Sequence, residues 1–149
     1  SLSPYHIEPS PLNRSGAANG ILTGGNLSLT CALLGSKSDV DTRGKILFVE
    51  EVGEKLYRID RMMGTLKRAG KLSALSGLLI GGLNEMVKGE PDFGHSAVDI
   101  IKSVVNEYSY PVAFEFPAGH FPENFPLIMG RKVRLEVGEK VLLRFVEKE

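Results

Sequence analysis

The chain lacks tryptophan, has a single cysteine and carries no formal net charge, since Lys and Arg together number 18, as do Asp and Glu. Neutrality argues against a general electrostatic binder of nucleic acid or of a membrane surface, although the total says nothing about a local patch. Cys31 has no partner for an internal disulfide, which is compatible with a reducing compartment. Its apolar neighbours Leu29 and Leu33 favour a small buried side chain over a reactive thiol.

Several functional motifs are also missing. No stretch is long and apolar enough to span a bilayer, and no signal-peptide core is present at the N-terminus, so we expect no membrane partner. His6, His95 and His120 follow no metal-ligand spacing, which predicts no metal site. Phosphate-binding loop and dinucleotide-binding glycine motifs are absent, which predicts no nucleotide cofactor. The GxSxG turn that carries many catalytic serines is absent as well.

What is present indicates one ordinary globular domain. The length is 149 residues, with 42% hydrophobic and 24% charged residues, enough to bury a core. Residues 1–20 are rich in Pro, Ser, Asn and Gly and predict a linker or extended arm, or alternatively a disordered tail, ahead of a domain over residues 21–149. Thr23–Asn26 predicts a turn, after which Asn26 caps a short helix that ends at Gly35.

The rest of the chain alternates strand and helix patterns. The predicted elements are strand Lys45–Glu50, helix Leu56–Ala69, strand Leu78–Ile80 ended by Gly81 and Gly82, a loop through Pro91 and Gly94, helix Ser96–Tyr108, strand Val112–Phe116, and an antiparallel hairpin of Leu127–Glu136 with Lys140–Val146. The apolar run before Glu50 is typical of a strand covered on both faces. The order predicts an α/β fold with a mixed sheet, helices and a C-terminal β-hairpin.

Three residues stand out as candidates for chemistry. Glu50 and Glu51 end a buried strand, where α/β proteins commonly place functional groups, and strand alternation predicts that one points inward and the other to solvent. His120 follows Gly119 at the end of another predicted strand. A carboxylate that orients a histidine is two-thirds of a nucleophilic catalytic triad, and no candidate nucleophile accompanies it here. The alternative is that both glutamates are solvated and His120 is a surface or packing residue.

Four segments in this order resemble the C-terminal half of the LD-carboxypeptidases, a serine peptidase family that includes the microcin self-immunity peptidases. They are Gly24–Ser28, Lys45–Glu54, Tyr57–Met62 and Phe116–His120, followed by Asn124 and Gly130. The resemblance implies a swivelling β/β/α-type domain. It also implies that His120 is the general base, that Glu50 is its orienting carboxylate, and that Glu51 is a neighbour that supports the site.

The same resemblance implies a two-domain enzyme whose N-terminal domain carries the serine. We therefore expect the serine domain to be absent from this chain, the chain alone to be inactive, and apolar surface to be exposed beside Glu50 and His120. The implied substrate is a cytosolic murein tetrapeptide, which loses its terminal D-alanine through cleavage of an L,D-peptide bond during cell-wall recycling. The implied protein is a cytoplasmic homodimer that needs no cofactor.

The sequence departs from the family pattern at two places, and two alternatives to a murein peptidase stay open, one of them because no serine nucleophile is present. Phe121 stands where many members have Gly, and Leu83-Asn84-Glu85 stands where many have Thr-Asp after the glycine. One alternative is a self-immunity peptidase that acts on a peptide–nucleotide antibiotic, in which Phe121 or Phe125 would stack on the base in place of tryptophan. The other is a non-enzymatic module that binds a peptide or a partner.

Overall fold

The computed structural model describes residues 3–87 and 96–147 and shows a mixed sheet of seven strands with helices. In chain order the elements are β1 Tyr5–Ile7, β2 Gly16–Asn26, α1 Leu27–Ala32, β3 Ile46–Val52, α2 Leu56–Arg68, β4 Gly77–Asn84, α3 Ala97–Val105, β5 Val112–Ala113, β6 Lys132–Val137 and β7 Val141–Phe145. The predicted α/β class, mixed sheet and C-terminal hairpin are confirmed.

Strand β2 joins the two halves of the sheet, whose order is β1-β7-β6-β2-β3-β4-β5. Residues 16–21 pair antiparallel with β6, in the half that contains the hairpin. Residues 22–26 pair parallel with β3, and β4 and β5 continue that parallel half. Because parallel strands end at one edge, this half brings the carboxyl ends of β2, β3 and β4 together.

Two sequence predictions fail near the N-terminus. Residues 5–7 pair with β7 and residues 16–20 lie in β2, so these parts of the predicted linker belong to the sheet. Thr23–Asn26 is the end of β2 rather than a turn, and it pairs Asn26 with Glu50. A Cβ at Gly24 would lie 2.0 Å from the Phe48 carbonyl oxygen, so glycine is needed for β2 to approach β3. Glycines next to asparagine predict a turn locally, but strand pairing overrides that preference.

Strand β3 is covered on both faces, as its apolar run predicts. Leu47 and Val49 are buried in a cluster with Ile59 of α2 and Ile101 of α3. Ile46, Phe48 and the hairpin residues Val133, Leu135 and Leu143 belong to a second buried cluster. The two cores hold β3 from both sides, which fixes the position of the two carboxylates at its end.

The helices begin where the sequence predicts, whereas several boundaries differ. Asn26 caps α1, and Ser96 opens α3 in a capping box with Asp99. Strand β4 continues through Gly81 and Gly82, and β5 is only two residues long. In the hairpin, residues 127–131 precede the strand, which starts at Lys132. The predicted loop through Pro91 and Gly94 lies outside the described residues. Within the described ranges, no helix has the length and apolar character needed to cross a bilayer.

Candidate active site

Glu50 and His120, which are 70 residues apart in the sequence, meet at the carboxyl edge of the parallel half. The His120 Nδ1 atom lies 2.7 Å from Glu50 Oε2, which is hydrogen-bond distance. The Glu50 side chain is 9% exposed and the imidazole is 53% exposed. The structure thus brings the two predicted site residues together, with a buried carboxylate behind a ring that is open on one side.

The loop that carries His120 is fastened along strand β4. The Phe116 amide donates to the Ile80 carbonyl oxygen at 2.9 Å, and the Gly82 amide donates to the Ala118 carbonyl oxygen at 3.1 Å. The Asn84 side chain, at the end of β4, donates to the His120 carbonyl oxygen. These bonds extend the sheet beyond the two residues of β5 and deliver the imidazole to the end of β3.

Gly119 allows the loop to pass directly over Glu50. Its φ is +96°, in the region that favours glycine. A Cβ at this position would lie 2.8 Å from Glu50 Cγ and 2.9 Å from Glu50 Cβ. On its other side, the Gly119 amide donates to Asn124 Oδ1 at 3.1 Å. The residue before the histidine is therefore glycine for two reasons, backbone conformation and close approach.

Asn26 connects Glu50 to Glu51. Its Nδ2 donates to Glu50 Oε1 at 3.2 Å and to Glu51 Oε1 at 3.0 Å. Glu51 Oε2 also accepts from the amide and the hydroxyl of Ser28 at 3.0 and 2.6 Å. The prediction that one glutamate points to solvent is wrong, since Glu50 and Glu51 are only 7% and 5% exposed. The reason is that α1 covers the end of β3 on the side of Glu51.

Glu51 is a stabilised carboxylate. Burial raises the pKa of its carboxyl group, but the hydrogen bonds from Ser28, Asn26 and the Val52 amide outweigh that effect, so the pKa lies below its usual value. Glu51 is therefore ionised at neutral pH. Burial, followed by the charge of Glu51, raises the pKa of the Cys31 thiol to about 11, which agrees with the expectation of an unreactive cysteine.

The arrangement suits proton transfer. With the Nδ1–H bonded to Glu50, the neutral ring keeps Nε2 free to accept a proton from a hydroxyl. In the parts of the chain that the structure describes, no hydroxyl contacts that ring, and the Ser28 hydroxyl is committed to Glu51. The structure likewise brings together no group of three or more His, Cys, Asp and Glu residues that could hold a metal ion, among residues 3–87 and 96–147.

A cavity of about 480 Å³ lies beside the His120 loop, lined by Asn84, Phe121, Glu115, Glu123 and apolar residues of β4, α3 and the loop. On α1, the helix that Asn26 caps, Leu29 and Leu33 are 65% and 39% exposed. The expectation that exposed apolar surface lies on the side of Glu50 and His120 stays a prediction.

Sequence reasoning missed two contributors to the site. Asn26 was predicted as a helix cap, which it is, but its contact with Glu50 depends on the pairing of β2 with β3. For Asn84 the sequence predicts no role, since it is only a departure from the family pattern. A polar residue at the end of each parallel strand is the signal that could have identified both.

Three comparisons place this geometry among known proteins. The family model described as the LD-carboxypeptidase C-terminal domain matches residues 19–135. A Bacillus subtilis protein named "probable murein peptide carboxypeptidase" is 35% identical over 138 residues, which cover 91% of this chain and 43% of the relative. Over 97% of this chain and 50% of the other, the crystal structure of muramoyltetrapeptide carboxypeptidase from Oxalobacter formigenes matches with a TM-score of 0.86 and 27% identity.

The microcin C7 self immunity protein MccF is similar in fold alone. Its structure matches with a TM-score of 0.80 and 21% identity, over 91% of this chain and 41% of that protein. The chain therefore spans about half or less of the length of these three proteins.

Proposed function

The chain belongs to the family of LD-carboxypeptidase C-terminal domains, and we propose that it supplies the Glu50 and His120 of a Ser–Glu–His triad. The triad would hydrolyse the L,D-peptide bond of a murein tetrapeptide and release the terminal D-alanine. The observation that carries the proposal is the 2.7 Å contact between Glu50 Oε2 and His120 Nδ1, with the ring half exposed. The names of the murein peptide relatives support the substrate class.

Each residue has a defined role in this proposal. His120 Nε2 takes the proton of the attacking serine and later gives it to the leaving amine. Glu50 holds the Nδ1–H tautomer and stabilises the imidazolium that forms. A buried carboxylate suits this role because the surrounding low dielectric strengthens its interaction with the ring.

The serine would come from a domain outside this chain. We place that domain against the open face of His120 and against the exposed side chains of Leu29 and Leu33. The chain alone would then be inactive, and the whole protein would act as a cytoplasmic homodimer in the recycling of cell-wall peptides.

A chimera tests the proposal. This chain replaces the C-terminal part of the Bacillus subtilis relative, and the purified chimera is assayed for D-alanine release from a murein tetrapeptide. We expect turnover by the chimera and none by the chain alone. Glu50→Gln should reduce kcat by about 10²–10⁴-fold and His120→Ala by at least as much, because the oriented base is lost.

The matched control is Glu139→Gln in the exposed turn of the hairpin, which should leave turnover unchanged. A folded chimera whose turnover survives His120→Ala would refute the triad assignment. Preference for an aminoacyl-sulfamoyl nucleotide over the murein tetrapeptide would favour the self-immunity reaction instead.

A further inference from the structure

We propose that Glu51 and Asn26 act as positioning residues, which hold the Glu50 carboxylate in the orientation that His120 requires. In the part of the chain that the structure describes, neither residue contacts the imidazole. Glu51 acts on Glu50 through Asn26. The inference rests on the proposed function, because it concerns how the Glu50–His120 pair is kept in place.

The orientation of the Asn26 amide is determined by its neighbours. Its Oδ1 accepts from the Leu29 amide at 3.1 Å, while its Nδ2 donates to both carboxylates. The reversed amide would direct an oxygen at two carboxylates and lose the helix cap. Because the Asn26 amide donates to Glu50 Oε1, Glu50 Oε2 stays available as the hydrogen-bond partner of His120 Nδ1.

The Glu51 carboxylate is held in place by more hydrogen bonds than the Glu50 carboxylate. Besides Asn26 it accepts from the Ser28 hydroxyl at 2.6 Å, the Ser28 amide at 3.0 Å and the Val52 amide at 3.1 Å. Two of these donors are backbone groups, so they cannot rotate away. Glu50 has only Asn26 and His120 as side-chain partners in the described part of the chain. The fixed carboxylate thus positions the one that contacts the histidine.

Nuclear magnetic resonance of the chain tests the inference without the serine domain. Nitrogen shifts of ¹⁵N-labelled His120 report which ring nitrogen holds the proton. In Glu51→Gln and Asn26→Ala we expect the Nδ1–H tautomer to lose population.

Glu54→Gln is the matched control, since Glu54 lies three residues farther along, pairs with Arg58 at 3.5 Å and has no bond to Asn26. It should leave the tautomer unchanged. Ser28→Ala is a milder variant in case the other two unfold, because it removes the 2.6 Å bond to Glu51 and the 3.5 Å contact with Met62 Sδ but keeps the Ser28 amide in place. It should change the tautomer in the same direction by a smaller amount.

Glu50→Gln separates failure of the inference from failure of the proposed function. If Glu50→Gln leaves the tautomer of His120 unchanged, the Glu50–His120 pair is refuted, and with it the inference that Glu51 and Asn26 position Glu50. If it alters the tautomer while Glu51→Gln, Asn26→Ala and Ser28→Ala lower only the melting temperature, Glu51 and Asn26 are structural and the inference is overturned.

Discussion

Replacing Gly119 with alanine should destabilise the fold and break the Glu50–His120 hydrogen bond. Gly119 has φ +96°, and an alanine forced into this left-handed region costs about 1–2 kcal/mol. The added methyl would lie 2.8 Å from Glu50 Cγ and 3.0 Å from Glu50 Oε2. Overpacking of this kind costs about 1–3 kcal/mol more, because either the buried glutamate or the loop must move. The total predicted loss of unfolding free energy is about 2–5 kcal/mol.

Gly130→Ala is the matched control for backbone strain. Gly130 has φ +80°, but nothing lies within 4 Å of the position where its Cβ would be. Urea unfolding of both variants therefore separates the steric contact with Glu50 from the conformational cost, and Gly119→Ala should be less stable by about 1–3 kcal/mol. The ¹⁵N shifts of His120 should change in Gly119→Ala alone.

Equal stability of the two variants would refute the argument that Gly119 is required for close approach. Retention of the wild-type His120 shifts in Gly119→Ala would refute the coupling between the loop and Glu50.

Two further predictions follow from the pKa values near α1. Because the pKa of Glu51 is lower in the folded chain than in the unfolded one, its contribution to stability is present above about pH 4.3 and is lost as the pH falls through the folded value. Urea midpoints between pH 7 and pH 3 should fall less steeply below that point in Glu51→Gln, and parallel curves for the two proteins would contradict this. With its pKa raised to about 11, Cys31 should react with iodoacetamide at pH 8 about 10²-fold more slowly than an unfolded thiol, and Glu51→Gln should accelerate the reaction. Mass spectrometry of the alkylated protein measures the rate, and a rate equal to that in urea would contradict the burial argument.

Local patterns predict where the three helices start and that the chain closes with a hairpin. The apolar spacing from Leu56 and the glycine after Ala69 define α2 within a residue, because helix periodicity and its stop signal are both local. Strand β4 was predicted too short since Gly81 and Gly82 are typical of a strand end. A Cβ at Gly81 would lie 2.6 Å from the Ala118 carbonyl oxygen, so a tertiary contact of the His120 loop explains why glycine stands inside the strand.

The sequence predicts which residues form the site better than it predicts the hydrogen bonds between them. Glu50 and His120 were identified from the strand ends and from the family resemblance, and they meet as expected. Glu51 was expected near solvent if Glu50 faced inward, because strand alternation contains no information about which other element covers each face. Its four hydrogen bonds come from α1, from the end of β2 and from its own strand.

The amino-acid sequence by itself determined the order of elements from α1 onward, the buried strand that ends in two glutamates and the glycine that precedes the histidine. These properties depend on hydrophobic periodicity and backbone preference, which act over a few residues. Only the tertiary structure decided that the Gly-Gly-Asn segment is a strand rather than a turn, and that Asn26 therefore lies beside Glu50. Parallel pairing joins residues that are distant along the chain, so the partners of each carboxylate depend on which strands become neighbours in the sheet.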